Sequence, residues 1–565
     1  MINAPRKIPL SDTPNNRMHP NFINSKSTIP VKYRMFYVNH TSNIQFDIDM
    51  FKFNGLHIGL CFPDRCGEAE VVEMAKQIFN SDDWQNSPYL RNVSFFKTKT
   101  LDIRDDFYRE SIVILLMTKP AQKIVLEANN NTDDPVKKPK QNLSEKFWKG
   151  MAVQENLSLI FNAPLPSGSL ESINGFRAFA TVWVILAHIY LFALVPIENL
   201  QMLLAYGDVL ALQPFYAALT AVDIFFVIAG FLLAFRFFEH QKKAKSKNLV
   251  PLTLKKILNR YLRIAPAFGV VLIIATVIGI FINDTSQFFM TEDLEVNCKN
   301  YWWRNMLMIQ NFFPMDEMCM VWSWYVAAEF QLFIVASVLL ALSVKHLKLS
   351  GAIGFSILVA SSIYCGYLGY INSFNLSATS LNSTVNDLYF PTYTRVASYF
   401  CGIFTGYYLS SIDRKWNISL TTKNIGWAVS IIVIAFETFL IKFGRDDNVA
   451  LSILFPALGR LLWAMAICFM ILATTTQFEN GSVSKFWKAK IFIPLSRISF
   501  CAYILNPLII MTIVFSCQNS MNLNFYTVPL ESLGFYCIIH VLAVIFMILI
   551  FIPVGHLINL VLSFQ

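Results

Sequence analysis

Ten apolar stretches, each about as long as a bilayer-spanning helix requires, follow one another along the chain. Their limits are 174–195, 215–236, 262–283, 321–344, 350–371, 391–411, 425–443, 450–474, 491–513 and 533–562. Hydrocarbon offers no partner for a backbone N–H or C=O, so stretches of this length span as α-helices. The first 170 residues read differently. Val71–Phe79 has the spacing of an amphipathic helix, and residues 129–148 (NNNTDDPVKKPKQNLSEKFW) are polar and proline-containing, as linkers are. The opening MINAPRKIPLSDTPNNR has no apolar core of a secretory signal. Ser111–Thr118 (SIVILLMT) is the one further apolar run, far short of the roughly 20 residues a crossing needs. The pattern predicts an all-α polytopic membrane protein. About ten transmembrane helices (171–565) follow a small, partly polar, Cys-containing N-terminal region (1–128) and a linker (129–170).

Composition sharpens this picture. Hydrophobic residues make up 55% and charged residues 15%, against about 25% charged in soluble domains. That excludes a disordered chain and a soluble enzyme. The net charge, 46 − 37 = +9, carries no aromatic-interleaved basic stripe of the nucleic-acid kind. It is better read as positive charge on cytoplasmic loops. The 237–257 loop holds Lys242, Lys243, Lys245, Lys247, Lys255 and Lys256, whereas the 284–320 loop holds only Lys299 and Arg304. The first loop is expected inside and the second outside, and the alternation then holds to the C-terminus.

Five cysteines (Cys365, Cys401, Cys468, Cys501, Cys537) lie in apolar stretches as buried thiols. Cys298 and Cys319 share an outside loop and can pair. Cys61 and Cys66, in GLCFPDRC, have the spacing of a small disulfide-closed loop. Two readings of residues 31–80 stay open: an extracytoplasmic segment, or a cytoplasmic one whose cysteines remain reduced.

A charge at mid-bilayer costs about 2.5–3.5 kcal/mol on insertion scales, so each one is a functional candidate. The first span carries Arg177 at its cytoplasmic start and His188 eleven residues on. Eleven steps of 100° return to nearly the same helix face, about 16 Å deeper. Imidazole is the natural general base near neutral pH. Asp223, Glu329, Glu437 and Arg460 lie near the midplane of other spans. Asp223 or Glu329 would orient His188, or these charges form ion pairs that fix helix packing. Arg260 and Arg263 sit at helical i, i+3 spacing, level with Arg177 and Arg497. Four arginines at one face suit bidentate phosphate binding, or simply anchor the helices. HExxH, Walker A and GxSxG patterns are absent, and no metal site is expected.

These residues together resemble a known family. Arg177-x10-His188, VDIFFVIAGF (222–231) and RYLRIAP (260–266) are similar to signatures of the membrane acyltransferase family 3. So are Trp324…Glu329-x-Gln331, TRVASYFCGIFTG (394–406) with Arg395, and PLSRISFCAYILNP (494–507). The Cys298…Cys319…WSWY pattern resembles the animal, nose-resistant-to-fluoxetine-like branch, and GLCFPDRC resembles the last cysteine pair of that branch's N-terminal domain. Three features depart from it. Asn506 stands where the family usually has His, Phe551 where Glu usually precedes Pro553, and a signal peptide and first extra span are not expected in this sequence.

The resemblance implies a membrane O-acyltransferase. The donor would be acyl-CoA from the cytoplasm, a substrate rather than a resident cofactor. The acceptor would be a hydroxyl on a lipid, glycan or protein. His188 would be the general base, and Glu329 or Asp223 would orient it or support the acceptor. Arg177, Arg260, Arg263, Arg395, Arg460, Trp324 and Gln331 would line the substrate sites. Partners are membrane lipids, donor and acceptor, with no nucleic acid. The membrane is that of the endoplasmic reticulum or the cell surface. Two rivals remain: a proton-coupled or lipid transporter, and a catalytically silent scaffold, which the loss of the usual His at 506 would favour.

Overall fold

The structure is a computed structural model. It describes residues 31–39, 55–63, 65–79, 93–100 and 152–562, apart from short breaks at 167, 198–208, 211–212, 244–248, 289–291, 417, 444–447, 477–481, 518 and 523–526. Ser111–Thr118 and the linker up to residue 151 lie outside the described residues.

The N-terminal region folds as a three-stranded antiparallel sheet with one helix. Strands β1 (Val31–Asn39), β2 (Gly55–Pro63) and β3 (Ser94–Thr100) lie in the order β2-β1-β3. Helix α1 (Glu68–Phe79) includes the Val71–Phe79 stretch expected to be helical. Phe36 and Val38 of β1 pack against Val71, Ala75 and Phe79 of α1. Period 2 meeting period 3.6 across one apolar layer is what such a pairing requires. Cys66 is a free thiol, which corrects the expected Cys61–Cys66 bridge. Its turn is held by backbone and arginine instead: Cys66 N–H donates to Pro63 O (3.0 Å), and Arg34 Nη2 donates to Cys66 O (3.1 Å).

The other described residues are mainly helical. Helix α2 (Val153–Phe161) precedes the first span, α3 (Ser172–Ala193). Then come α4 (Ala221–Lys243), α5 (Leu249–Thr285), α6 (Leu294–Met306), α7 (Trp324–Ser343) and α8 (Leu347–Ile371). They are followed by α9 (Val396–Ser411), α10 (Leu420–Phe443), α11 (Val449–Thr475), α12 (Phe492–Phe515) and α13 (Thr527–Ile558). Among the described residues, nine helices are long and apolar enough to cross a membrane. The tenth apolar stretch, 391–411, forms the shorter α9. Its 16 residues reach about 24 Å, less than the roughly 30 Å hydrocarbon core.

Helix α9 is deeply buried because it packs backbone to backbone on α4. A Cβ added at Gly402 would lie 2.2 Å from Val227 O, and one at Gly406 2.3 Å from Phe231 O. This small-xxx-small spacing (GIFTG) permits close helix approach in lipid, where packing replaces the hydrophobic effect. Helices α3, α4, α7 and α12 form the core around Ile185, Phe226, Ala327 and Ile504.

The N-terminal sheet and α2 sit at opposite ends of this bundle. Lys99 Nζ donates to Ile282 O (3.1 Å) and Ser286 O (2.9 Å), the closing carbonyls of α5, and Tyr37 Oη donates to Gln287 O. An ammonium there complements the helix C-terminus. Burial, with the neighbouring Lys97, lowers the Lys99 pKa to about 8. Helix α2 docks at the other end, where Asn156 Nδ2 donates to Ile548 O (3.1 Å). Residues 100 and 153 therefore lie at opposite faces of the bundle.

Candidate active site

His188 lies on α3, half-buried, with Nδ1 2.6 Å from Oδ1 of Asn506 on α12. Asn506 is fully buried. Its Nδ2 donates to Ala502 O (3.0 Å) and Tyr503 O (2.7 Å) of its own helix. Aromatic rings continue from this pair: Phe192 lies 6.1 Å from the imidazole, and Trp322 lies 6.3 Å beyond Phe192. Tyr503 Oη donates to Trp322 O, and Trp322 Nε1 donates to Ile504 O (3.1 Å). These bonds tie the start of α7 to α12.

The expectation that Asp223 or Glu329 orients His188 is corrected, because arginines hold both acids. Glu329 Oε1 accepts from Arg260 Nη2 at 2.5 Å, and the Arg260 guanidinium lies 4.4 Å over the Phe333 ring. Asp223 Oδ2 accepts from Arg395 Nη1 (2.7 Å), and its Oδ1 accepts from Ser398 Oγ (2.7 Å). Neither acid has a bond to His188 among the described residues, and separating such a buried pair is costly.

Arg395 and Arg460 belong to this second group and not to a substrate-facing surface. Arg395 is fully buried between Trp324 (4.8 Å) and Tyr389 (4.5 Å), and Nη2 donates to Tyr389 O. Arg460 Nη2 donates to Leu388 O (2.6 Å), and its Nε lies 4.0 Å from Asp223 Oδ2. Trp324 therefore covers the Asp223–Arg395 pair. Gln331 spends its amide on packing: Nε2 donates to Met308 O and Asn311 Oδ1, and Oε1 accepts from Thr392 Oγ1.

A different group gathers around Arg260 and Glu329. Arg177 of α3 and Arg236 of α4 share one electrostatic neighbourhood with Arg260, Glu329 and Tyr325. Among the described residues, Arg260 is the arginine bonded to that carboxylate. Neither Arg177 nor the exposed Arg236 has an ion-pair or hydrogen-bond partner among the described residues. Arg263 is exposed on α5. Arg497, expected in this group, instead donates to Leu159 O, Ile160 O and Ala163 O and closes α2. Sequence reasoning missed Arg236, thirteen residues after Asp223 on a helix that runs toward the basic loop.

Outside the spans, the Cys298 and Cys319 sulfurs are bonded. Glu292 Oε1 accepts from Val321 N–H (2.9 Å) in the same loop system. Burial raises its carboxyl to about 7, while the Val321 and Met320 N–H groups oppose that rise. Phe551 packs its ring 5.6 Å from Phe500. No cluster of three metal-ligating side chains occurs among the described residues.

Residues 170–552 match the family model of an acyltransferase domain, Acyl_transf_3. The chain belongs to the acyltransferase 3 family. It is 27% identical over 396 residues to nose resistant to fluoxetine protein 6 of Caenorhabditis elegans, covering 65% of this chain and 48% of the relative. It is 24% identical over 430 residues to regulator of hypoxia-inducible factor 1 of the same organism, covering 69% of this chain and 80% of that relative. The chain thus spans about half the length of the first of these relatives. No solved structure matches. This acyltransferase 3-family chain is an integral, multi-pass membrane protein.

Proposed function

We propose that this protein moves an acyl group from an acyl-CoA thioester, entering at the basic face, to a hydroxyl acceptor in or at the membrane. The observation that carries this reading is the division of labour along α3. Arg177, without a bonded partner among the described residues, lies beside Arg236 and Arg260. Eleven residues further on, His188 is tethered, among the described residues, through one ring nitrogen. Guanidinium groups suit the donor's phosphates because they offer planar, paired N–H donors. His188 Nε2 takes the proton of the acceptor hydroxyl as its oxygen attacks the thioester carbonyl. The C–O bond forms, the C–S bond breaks, and the departing thiolate leaves as CoA-SH with the proton from His188. A positioned general base contributes about 10²–10⁴-fold to such a step.

Transport is the weaker reading. Two of the three midplane acids that a proton path would use, Asp223 and Glu329, are each held by an arginine. The membrane, endoplasmic reticulum or cell surface, would be the one in which the sheet-bearing face meets the non-cytoplasmic side.

The test is cleavage of radiolabelled acetyl-CoA and longer acyl-CoAs by the purified protein in detergent, beside His188→Ala. The expected result is turnover in wild type that falls at least about 100-fold in the variant while donor binding survives. A wild-type protein that neither binds nor cleaves any acyl-CoA would overturn the reading.

A further inference from the structure

We propose that Asn506 is a positioning residue that locks His188 with its proton on Nδ1 and a bare Nε2. The kinetic consequence rests on the acyl-transfer reading, but the tautomer does not. A carboxamide has one acceptor oxygen and two N–H donors. Which end faces a neighbour is decided by the bonds of the other end. In Asn506 the amide nitrogen lies 3.0 Å from Ala502 O and 2.7 Å from Tyr503 O, which only accept. The nitrogen therefore points at them, and the oxygen faces the imidazole at 2.6 Å. That oxygen cannot donate, so Nδ1 carries the hydrogen. A neutral imidazole has a single N–H, so Nε2 keeps its lone pair. It has no hydrogen-bond partner among the described residues.

This inverts the meaning of the departure at position 506. A histidine there would itself have two tautomers and could donate to or accept from Nδ1. An asparagine with its N–H groups committed to helix carbonyls has one choice. Because the amide is neutral, it orients the base without supplying a counter-ion. Asp223 and Glu329 are occupied elsewhere. The imidazolium formed on proton abstraction is thus unaccompanied, which favours its prompt return of the proton to the departing thiolate.

The experiment uses the full-length protein in detergent micelles, labelled with ¹⁵N-histidine. His188→Gln identifies the His188 signals by difference. The expected wild-type spectrum shows a protonated Nδ1 and an unprotonated Nε2. In Asn506→Leu the single species gives way to a mixture. A wild-type proton on Nε2, or an unchanged spectrum in Asn506→Leu, overturns the proposal.

Kinetics form the second arm. Asn506→Leu lowers kcat about 100-fold with the acyl-CoA KM unchanged. Asn506→Asp, which keeps an acceptor oxygen, retains kcat within about tenfold. Equal losses in both variants, or a loss confined to KM, would show a merely structural role and overturn the proposal. If wild type transfers no acyl group, the function proposed above falls while the spectrum still decides the tautomer. The wild-type spectrum also decides it if Asn506→Leu does not fold.

Discussion

Two groups of charged side chains sit inside this helix bundle, made of the same residue types and put to different uses. Asp223, Arg395 and Arg460, with Glu437 nearby, form a closed group. Asp223 and Arg395 are fully buried, and Ser398, Trp324, Tyr389 and the Leu388 carbonyl complete their contacts. Arg177, Arg236, Arg260 and Glu329 form an open one, in which Arg260 pairs with Glu329 and the other two arginines have no ion-pair partner among the described residues. Bonded partners separate them. Paired charges hold helices in register, as buried ion pairs in membranes commonly do. Arg177 and Arg236, without a bonded partner among the described residues, keep their N–H donors for an anion. The difference teaches that an intramembrane charge is read by its partners and not by its depth.

The largest expected effect comes from breaking the closed group. Asp223→Ala leaves Arg395 buried without its counter-charge and should cost about 3–5 kcal/mol. A thermal melt of the detergent-solubilised protein would register this as a large fall in midpoint or as loss of folded material. An Asp223→Ala protein that melts like wild type would erase the distinction between the two groups.

The open group predicts the opposite pattern. Arg177→Gln leaves the melt unchanged and weakens donor binding. Losing a hydrogen bond to a charged group is worth about 1.5–3 kcal/mol, or roughly 10–100-fold in the acyl-CoA KM. A fall in stability with an unchanged KM would move Arg177 into the structural group.

Glu292 sharpens the comparison because backbone N–H groups hold it, and no arginine does. Its folded pKa of about 7 lies above the ordinary carboxylate value, so the folded protein binds this proton more tightly than the unfolded chain does. Stability therefore falls as pH rises from the ordinary carboxylate range toward 7. Glu292→Gln escapes that fall. Its melting midpoint should exceed wild type at pH 7.5, and the gap should close toward pH 5. A gap that widens on acidification would contradict the sign.

The smallest effect is expected at Arg263, exposed on α5. Arg263→Ala should change stability by no more than about 0.5 kcal/mol and the donor KM by only a few-fold. A change as large as that of Arg177→Gln would place it among the donor-binding arginines on equal terms.

Much of this protein was legible along the chain. Apolar length located the spans, because hydrocarbon leaves a long apolar stretch only the helix. The amphipathic spacing located α1. His188 stood out because an imidazole deep in a span is costly without a use. The GIFTG stretch shows where such reading stops. Its two glycines are visible in sequence, but that α9 lies on α4 is decided by the carbonyls of Val227 and Phe231.

Partner choice was decided by the tertiary structure. Nothing in the spacing of Asp223, Glu329, Arg260 and Arg395 says which acid meets which arginine. Those pairs form between helices far apart in sequence, and only their packing brings two side chains within bonding distance. Cys66 is a free thiol in a loop held by its turn and Arg34. Arg497 is consumed by the carbonyls that close α2. Asn506, a departure when read alone, becomes the partner of His188 because α12 carries it to within 2.6 Å of the ring. Sequence fixes what each group can donate or accept. Only the fold decides which donor and which acceptor are left over, and in a medium without water that remainder is where chemistry can occur.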